Sequence, residues 1–115
     1  MTNKFTIKLV ENSEELDSIL PIKFSLEQFI YGKDKTSVKY IKDRLNDYNA
    51  NGEFLWVARQ DNMTIGYAID YKDKKDYRCS EMSIIPSKDY DSFDLSSKLY
   101  EKRQEFAKSK GLRFV

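Results

Sequence analysis

The chain has 115 residues, with 20 lysines and arginines against 19 aspartates and glutamates, a net charge of +1, one cysteine and no histidine. That length suits one domain over 1–115, able to bury about two thirds of its unfolded surface, and the balanced charge argues against general binding to nucleic acid or to an acidic membrane. The lone Cys79 excludes an internal disulfide and, with no apolar leader, fits a cytoplasmic address; the lack of histidine excludes Ser-His-Asp and Cys-His hydrolases and histidine-based metal sites, so no metal is expected.

Phe5-Thr6-Ile7-Lys8-Leu9-Val10 alternates apolar and polar residues, the period of a half-buried strand. Asn12 stands three residues before Glu15, a capping-box spacing, and Leu16, Ile19 and Leu20 follow at helical intervals, which predicts a helix that stops at Pro21. Phe24, Phe29, Ile30 and Tyr31 predict a further apolar segment, helical or irregular, closed by Gly32. After Ser37, the residues Val38, Ile41, Leu45 and Tyr48 recur at intervals of three and four, one face of an amphipathic helix ended by Asn51-Gly52. Residues 54–58 and 64–69 read as a hairpin turning at Asp61-Asn62, followed by a charged loop over 72–76 and a returning strand over 77–85 stopped by Pro86. Leu95, Leu99, Phe106 and Ala107 share a face of a helix over 95–110, with Asp94 as its cap and Gly111 as its close, and 112–115 begins a last strand.

This order of elements resembles that of the GNAT superfamily of N-acetyltransferases, and several segments are similar residue by residue. Phe54-Leu55-Trp56-Val57-Ala58 with Ile65-Gly66-Tyr67-Ala68 resembles the family's second and third strands, and Ile84-Ile85-Pro86 the Val-x-Pro that ends its fourth. Ser97-Lys98-Leu99-Tyr100 and Phe106-Ala107-Lys108-Ser109-Lys110-Gly111 are similar to the helix that follows. The resemblance implies an α/β (α+β) fold, a mixed and mainly antiparallel sheet flanked by helices, which this chain enters as far as the start of the fifth strand. It also implies acetyl transfer from acetyl-CoA to an amine substrate. In that scheme Ile84 and Ile85 backbone groups pair with pantetheine, Ser96 and Ser97 amides receive pyrophosphate at the helix N-terminus, and Glu81 is the general base.

Two features depart from the family pattern. Where its phosphate loop carries Arg/Gln-x-x-Gly-x-Gly/Ala, this chain has Asp91 in the cationic position and Ser92, Asp94 and Ser96 at the glycines. An aspartate capping that helix occupies the amides a phosphate needs and repels its charge. The sequence also reaches only the beginning of the fifth strand, ahead of the helix that brings the family's leaving-group tyrosine. A second reading therefore stands beside the enzyme: a catalytically inactive, GNAT-like protein-binding or regulatory module that has lost CoA binding. The expectation is that the residues are part of a larger protein, or a reduced relative that has given up catalysis, or one member of a homodimer or partner complex formed at the C-terminal sheet edge. Glu81 has a plain alternative too, as an exposed carboxylate on a strand face or a partner for Arg78, and Tyr67, Tyr71 and Tyr77 either line an acceptor cleft or pack across strands.

Overall fold

The structure, a computed structural model, describes residues 5–32, 37, 39, 42, 43 and 52–115. The amphipathic helix expected from Val38, Ile41, Leu45 and Tyr48 lies outside the described residues. Strands β1 (Thr6–Leu9), β2 (Glu53–Gln60), β3 (Met63–Asp73), β4 (Asp76–Ile84) and β5 (Arg113–Phe114) form one sheet in that order, with helices α1 (Ser13–Tyr31) and α2 (Ser92–Ser109). The first four strands are antiparallel neighbours and β5 joins β4 in parallel, the mixed, mainly antiparallel architecture expected.

Asn12 caps α1 by accepting the Glu15 amide at 2.9 Å, while the Glu15 carboxylate accepts the Glu11 amide at 2.8 Å. The helix does not stop at Pro21. It continues to Tyr31 and ends at Gly32, where φ is 83°. Proline in a helix costs about 3 kcal/mol through a lost donor and a crowded preceding turn. Leu16, Ile19 and Ile22, spaced on both sides of it, bury against Leu55, Val57, Tyr67 and Ile69. Each such burial stabilises by about 1.5–3 kcal/mol, so the packing outweighs the break. The separate segment expected from Phe24 to Tyr31 is the second half of the same helix.

The opposite face of the sheet receives α2. Leu95 and Leu99 pack with Ala58, Ile65, Trp56 and Ala68, and Phe106 stands edge-on to Phe54 and Trp56 at 5.2 and 5.4 Å between ring centroids. Alternation along β2 thus sends Leu55 and Val57 to α1, and Trp56 and Ala58 to α2. The hairpin turns at Asp61-Asn62 as expected. The charged loop expected over 72–76 is shorter, because the ladder continues through Lys72–Tyr77 and Asp73–Asp76 and leaves Lys74-Lys75 as the turn, with Lys74 at φ 59°.

One irregularity in β4 bears on the site. Ile69 pairs with Glu81 but Asp70 pairs with Cys79, so Ser80 is an extra residue, a β-bulge. Before it, Tyr77 packs on Phe106 at the α2 face. After it, Glu81 meets Lys23 of α1, and Met82 meets Arg103 of α2. A strict two-residue period would leave Glu81 on the face of Tyr77.

Beneath α2 lies a closed ion pair. Arg103 Nε and Nη2 donate to the two carboxylate oxygens of Asp70 at 2.8 and 2.5 Å, with side chains 4% and 0% exposed. Burial opposes the charge on Arg103, but the Asp70 carboxylate outweighs it and holds the guanidinium above its ordinary range. The Tyr77 hydroxyl, which accepts from Trp56 Nε1 at 2.9 Å, is pushed well up by burial. Among the described residues no helix is long and apolar enough to cross a membrane, and no group of three metal-ligating side chains occurs. Replacing Arg103 by Met strands the Asp70 charge and is expected to cost about 3–5 kcal/mol in urea unfolding. Pairing it with Asp70→Leu should recover most of that loss; a cost for Arg103→Met alone below about 1 kcal/mol, the value of a surface pair, contradicts the assignment.

Candidate functional site

Glu81 is the centre of a polar group enclosed between α1 and the sheet. Lys23 Nζ donates to its two oxygens at 2.7 and 2.6 Å and also pairs with Glu27 at 2.9 Å, while the Tyr67 hydroxyl donates to Glu81 Oε2. Helix α1 supplies Lys23 and Glu27 one turn apart, and the bulge at Ser80 supplies the carboxylate facing them. The side chains are 4% exposed for Lys23, 10% for Glu27 and 24% for Glu81, so solvent and ligands reach this group through Glu81. Burial lowers the pKa of Lys23, but hydrogen bonds from the ammonium to Glu81 and Glu27 raise it by more, so its ammonium is retained above the ordinary lysine range.

The expected alternative pairing of Glu81 with Arg78 is not formed, since Arg78 pairs with Asp76 at 3.1 Å. Of the three tyrosines, Tyr67 joins the group, Tyr77 lies on the α2 face, and Tyr71 pairs across the strands with Arg78. The sequence reading leaves Lys23 and Glu27 unmarked. Their signal is a Lys-x-x-x-Glu pair set into the apolar stripe of Ile19, Ile22 and Leu26, where an exposed salt bridge has no reason to sit.

Between α1 and the end of β4 is a cleft of about 470 Å³, walled by Pro21, Ile22 and Leu26 of α1 and by Ile84, Ile85 and Pro86, with none of Lys23, Glu27, Glu81 and Tyr67 in its lining. Ser25 and Ser83 also line it, and Ser83 follows Glu81 by two positions on one face of the strand. The strands are close here: a Cβ at Gly66 would lie 3.0 Å from the Ser83 carbonyl oxygen. Ile85 donates its amide to Ile65 O at 2.8 Å, so alternation turns the backbone groups of Met82 and Ile84 to the outer edge of β4. Among the described residues, β5 pairs with that edge at Asp76 and Tyr77. The backbone of Ile84 therefore faces the outer edge of β4, whereas the Ile85 amide is taken by β3.

Helix α2 starts at Ser92, earlier than expected, and its cap is Asp91 rather than Asp94. Asp91 Oδ1 accepts the amides of Phe93 and Asp94 at 2.9 and 3.4 Å, while Asp94 pairs with Lys98 at 3.1 Å. The reason is tertiary. Tyr90 is 6% exposed, packed with Ala58, Ile65 and Leu95 and edge-on to Phe5, which fixes the chain immediately before Asp91. Ser96 and Ser97 consequently fall in the second turn of α2, where amides bond back to the preceding turn. They line a separate groove with Tyr100, Glu101 and Gln104. The amides that α2 offers an anion are those of its first turn, and the Asp91 carboxylate already stands on two of them.

Solved structures share this architecture at low identity. An integron cassette protein from the mobile metagenome of V. cholerae is 16% identical, with 96% of this chain and 73% of that chain covered and a TM-score of 0.72. A GNAT family acetyltransferase of Staphylococcus aureus is 20% identical over 96% of this chain and 82% of its own, with a TM-score of 0.72. The ribosomal-protein-alanine N-acetyltransferase of Brucella melitensis biovar Abortus is 14% identical over 97% and 78%, with a TM-score of 0.74. No protein-family model and no curated protein matches the sequence. The chain has the GNAT fold, a likeness of architecture at these identities; the named activities belong to those proteins.

The two candidate caps are separable by stability. Asp91→Ala is expected to cost about 0.5–2 kcal/mol as a lost cap, and Asp94→Ala about 0.3–0.5 kcal/mol as a lost surface pair. Thermal unfolding of the two variants in which Asp94→Ala is the more damaging would return the cap to Asp94.

Proposed function

We propose that this chain transfers an acetyl group from acetyl-CoA to an amine in the cytoplasm, with Glu81 as general base. What supports the reading is a conjunction at one end of β4: open backbone groups on the outer edge, an apolar cleft beside them, and a carboxylate turned to the cleft side by the bulge at Ser80. Acetyl-CoA supplies an acyl group already activated as a thioester. The chain's own groups hold and deprotonate. The edge at Met82 and Ile84 pairs with an extended amide arm as a strand would, the apolar walls exclude water from the acceptor, and Glu81 takes the proton that the acceptor ammonium must lose. Both Glu81 oxygens receive hydrogen bonds from Lys23, and Oε2 also from Tyr67. Lys23 therefore yields Oε1 to the acceptor while Tyr67 keeps Oε2 in place.

The Asp91 carboxylate favours a second reading, a module without CoA binding that holds a protein partner or a second copy along the same β4 edge. An anion seated on the first amides of α2 opposes a pyrophosphate by occupancy and by charge. Calorimetry with acetyl-CoA, run on the parent and on Asp91→Gly, separates the two. The transferase reading expects the parent to bind and the variant, its amides freed, to bind about tenfold tighter or more. Glu81→Gln should keep that binding and slow amine acetylation by about a hundredfold or more. Neither protein binding acetyl-CoA, with dimers in sedimentation, refutes the transferase and supports the module.

A further inference from the structure

A net charge of +1 leaves no general field around the chain, but a local one depends on where the charges stand. At the end of the sheet where β3 turns into β4, the fold gathers Lys72, Lys74, Lys75, Arg78 and Arg113. Lys74-Lys75 is the turn itself, and the Arg113 amide donates to the Lys75 carbonyl at 2.7 Å, which brings β5 to it. The carboxylates at this end are Glu53, Asp73 and Asp76. Asp76 accepts from Arg113 Nε at 2.9 Å and from Arg78 Nη2 at 3.1 Å, so two guanidiniums share it, and the Arg113 side chain is still 76% exposed. The three lysines are exposed, and among the described residues none has a carboxylate within ion-pair distance.

These cations surround a ring. Tyr71 stands opposite Arg78 in the ladder, on the same face and 36% exposed. Lys72 stands opposite Tyr77 and carries the positive surface around to the α2 face. We infer that this end of the sheet binds single-stranded nucleic acid, with phosphates received by Lys74, Lys75 and Arg113 and a base stacked on Tyr71 beside Arg78. A single strand offers phosphates to the cations and an open base to the ring at once. A duplex keeps its bases in the stack, and an acidic peptide gives the ring no role. An anionic membrane calls for an apolar residue that enters it, whereas residues 72–76 include none and carry the exposed Asp73. The inference is independent of acetyl transfer.

Fluorescence anisotropy of a labelled single-stranded RNA of about 12 nucleotides tests it. Micromolar binding is expected at about 50 mM salt, at least about tenfold weaker at about 200 mM because each phosphate contact releases a counterion. Lys74→Glu combined with Lys75→Glu should weaken it at least about tenfold. Lys88→Glu, at an exposed cation beyond the other end of β4, should weaken it less than about twofold. Tyr71→Ala is expected to cost about fivefold or more and Tyr71→Trp to retain binding, since either ring stacks on a base. Arg113→Gln, at the most open guanidinium, should also weaken binding and remains informative if the turn variant does not fold. No binding of the single strand at about 50 mM salt overturns the inference. So does equal loss in Lys88→Glu and the turn variant, full affinity in Tyr71→Ala or in Arg113→Gln, or tighter binding of duplex RNA, polyglutamate or phosphatidylserine vesicles.

Discussion

Ser80, the extra residue in β4, decides which face of the sheet carries Glu81. Were Ser80 paired as a regular strand residue, the carboxylate would point toward α2, beside Asp70, where a like charge is already buried and matched by Arg103. With Ser80 bulged out of the ladder, the carboxylate turns to α1 and meets Lys23, and the next residue on that face, Ser83, lines the cleft. The same bulge puts Met82 against Arg103, so one residue left out of the ladder sorts Glu81 and Met82 between two ionic groups on opposite faces.

Those two groups differ in a way that separates scaffold from site. Arg103 and Asp70 are matched one to one, bidentate and closed to solvent, the arrangement in which a buried pair holds elements in register. Lys23, Glu27, Glu81 and Tyr67, among the described residues, set one ammonium against two carboxylates and are partly open at Glu81. A group of that kind retains something to offer a ligand. The start of α2 is the opposite case, since the amides that an anion would use are engaged by the Asp91 side chain.

Much of this was legible in the sequence where local rules and tertiary packing agree. Alternation in 54–58, the Asp61-Asn62 turn and the Asn12–Glu15 spacing all correspond to formed elements. The misses occur where packing overrules a local rule. Pro21 reads as a stop, but the burial of Leu16, Ile19 and Ile22 carries the helix through it. Asp91 and Asp94 are equally good caps on composition, and the choice falls to Tyr90, whose burial cannot be read from its neighbours in sequence. Glu81 stood out as a lone carboxylate near the fourth strand, yet its partner Lys23 is 58 residues away and the bulge that joins them leaves no mark in a strand already mixed in polarity.

The central claim is that the outer edge of β4 and the cleft beside it form the place where acetyl-CoA and the acceptor meet. Backbone amide chemical shifts recorded while acetyl-CoA is added test this residue by residue. The account predicts the largest changes at Met82 and Ile84, whose amides face the open edge, with Ser83 following through the shared strand. Shifts confined to other surfaces, with the amides of Met82 and Ile84 unmoved at saturation, would contradict it.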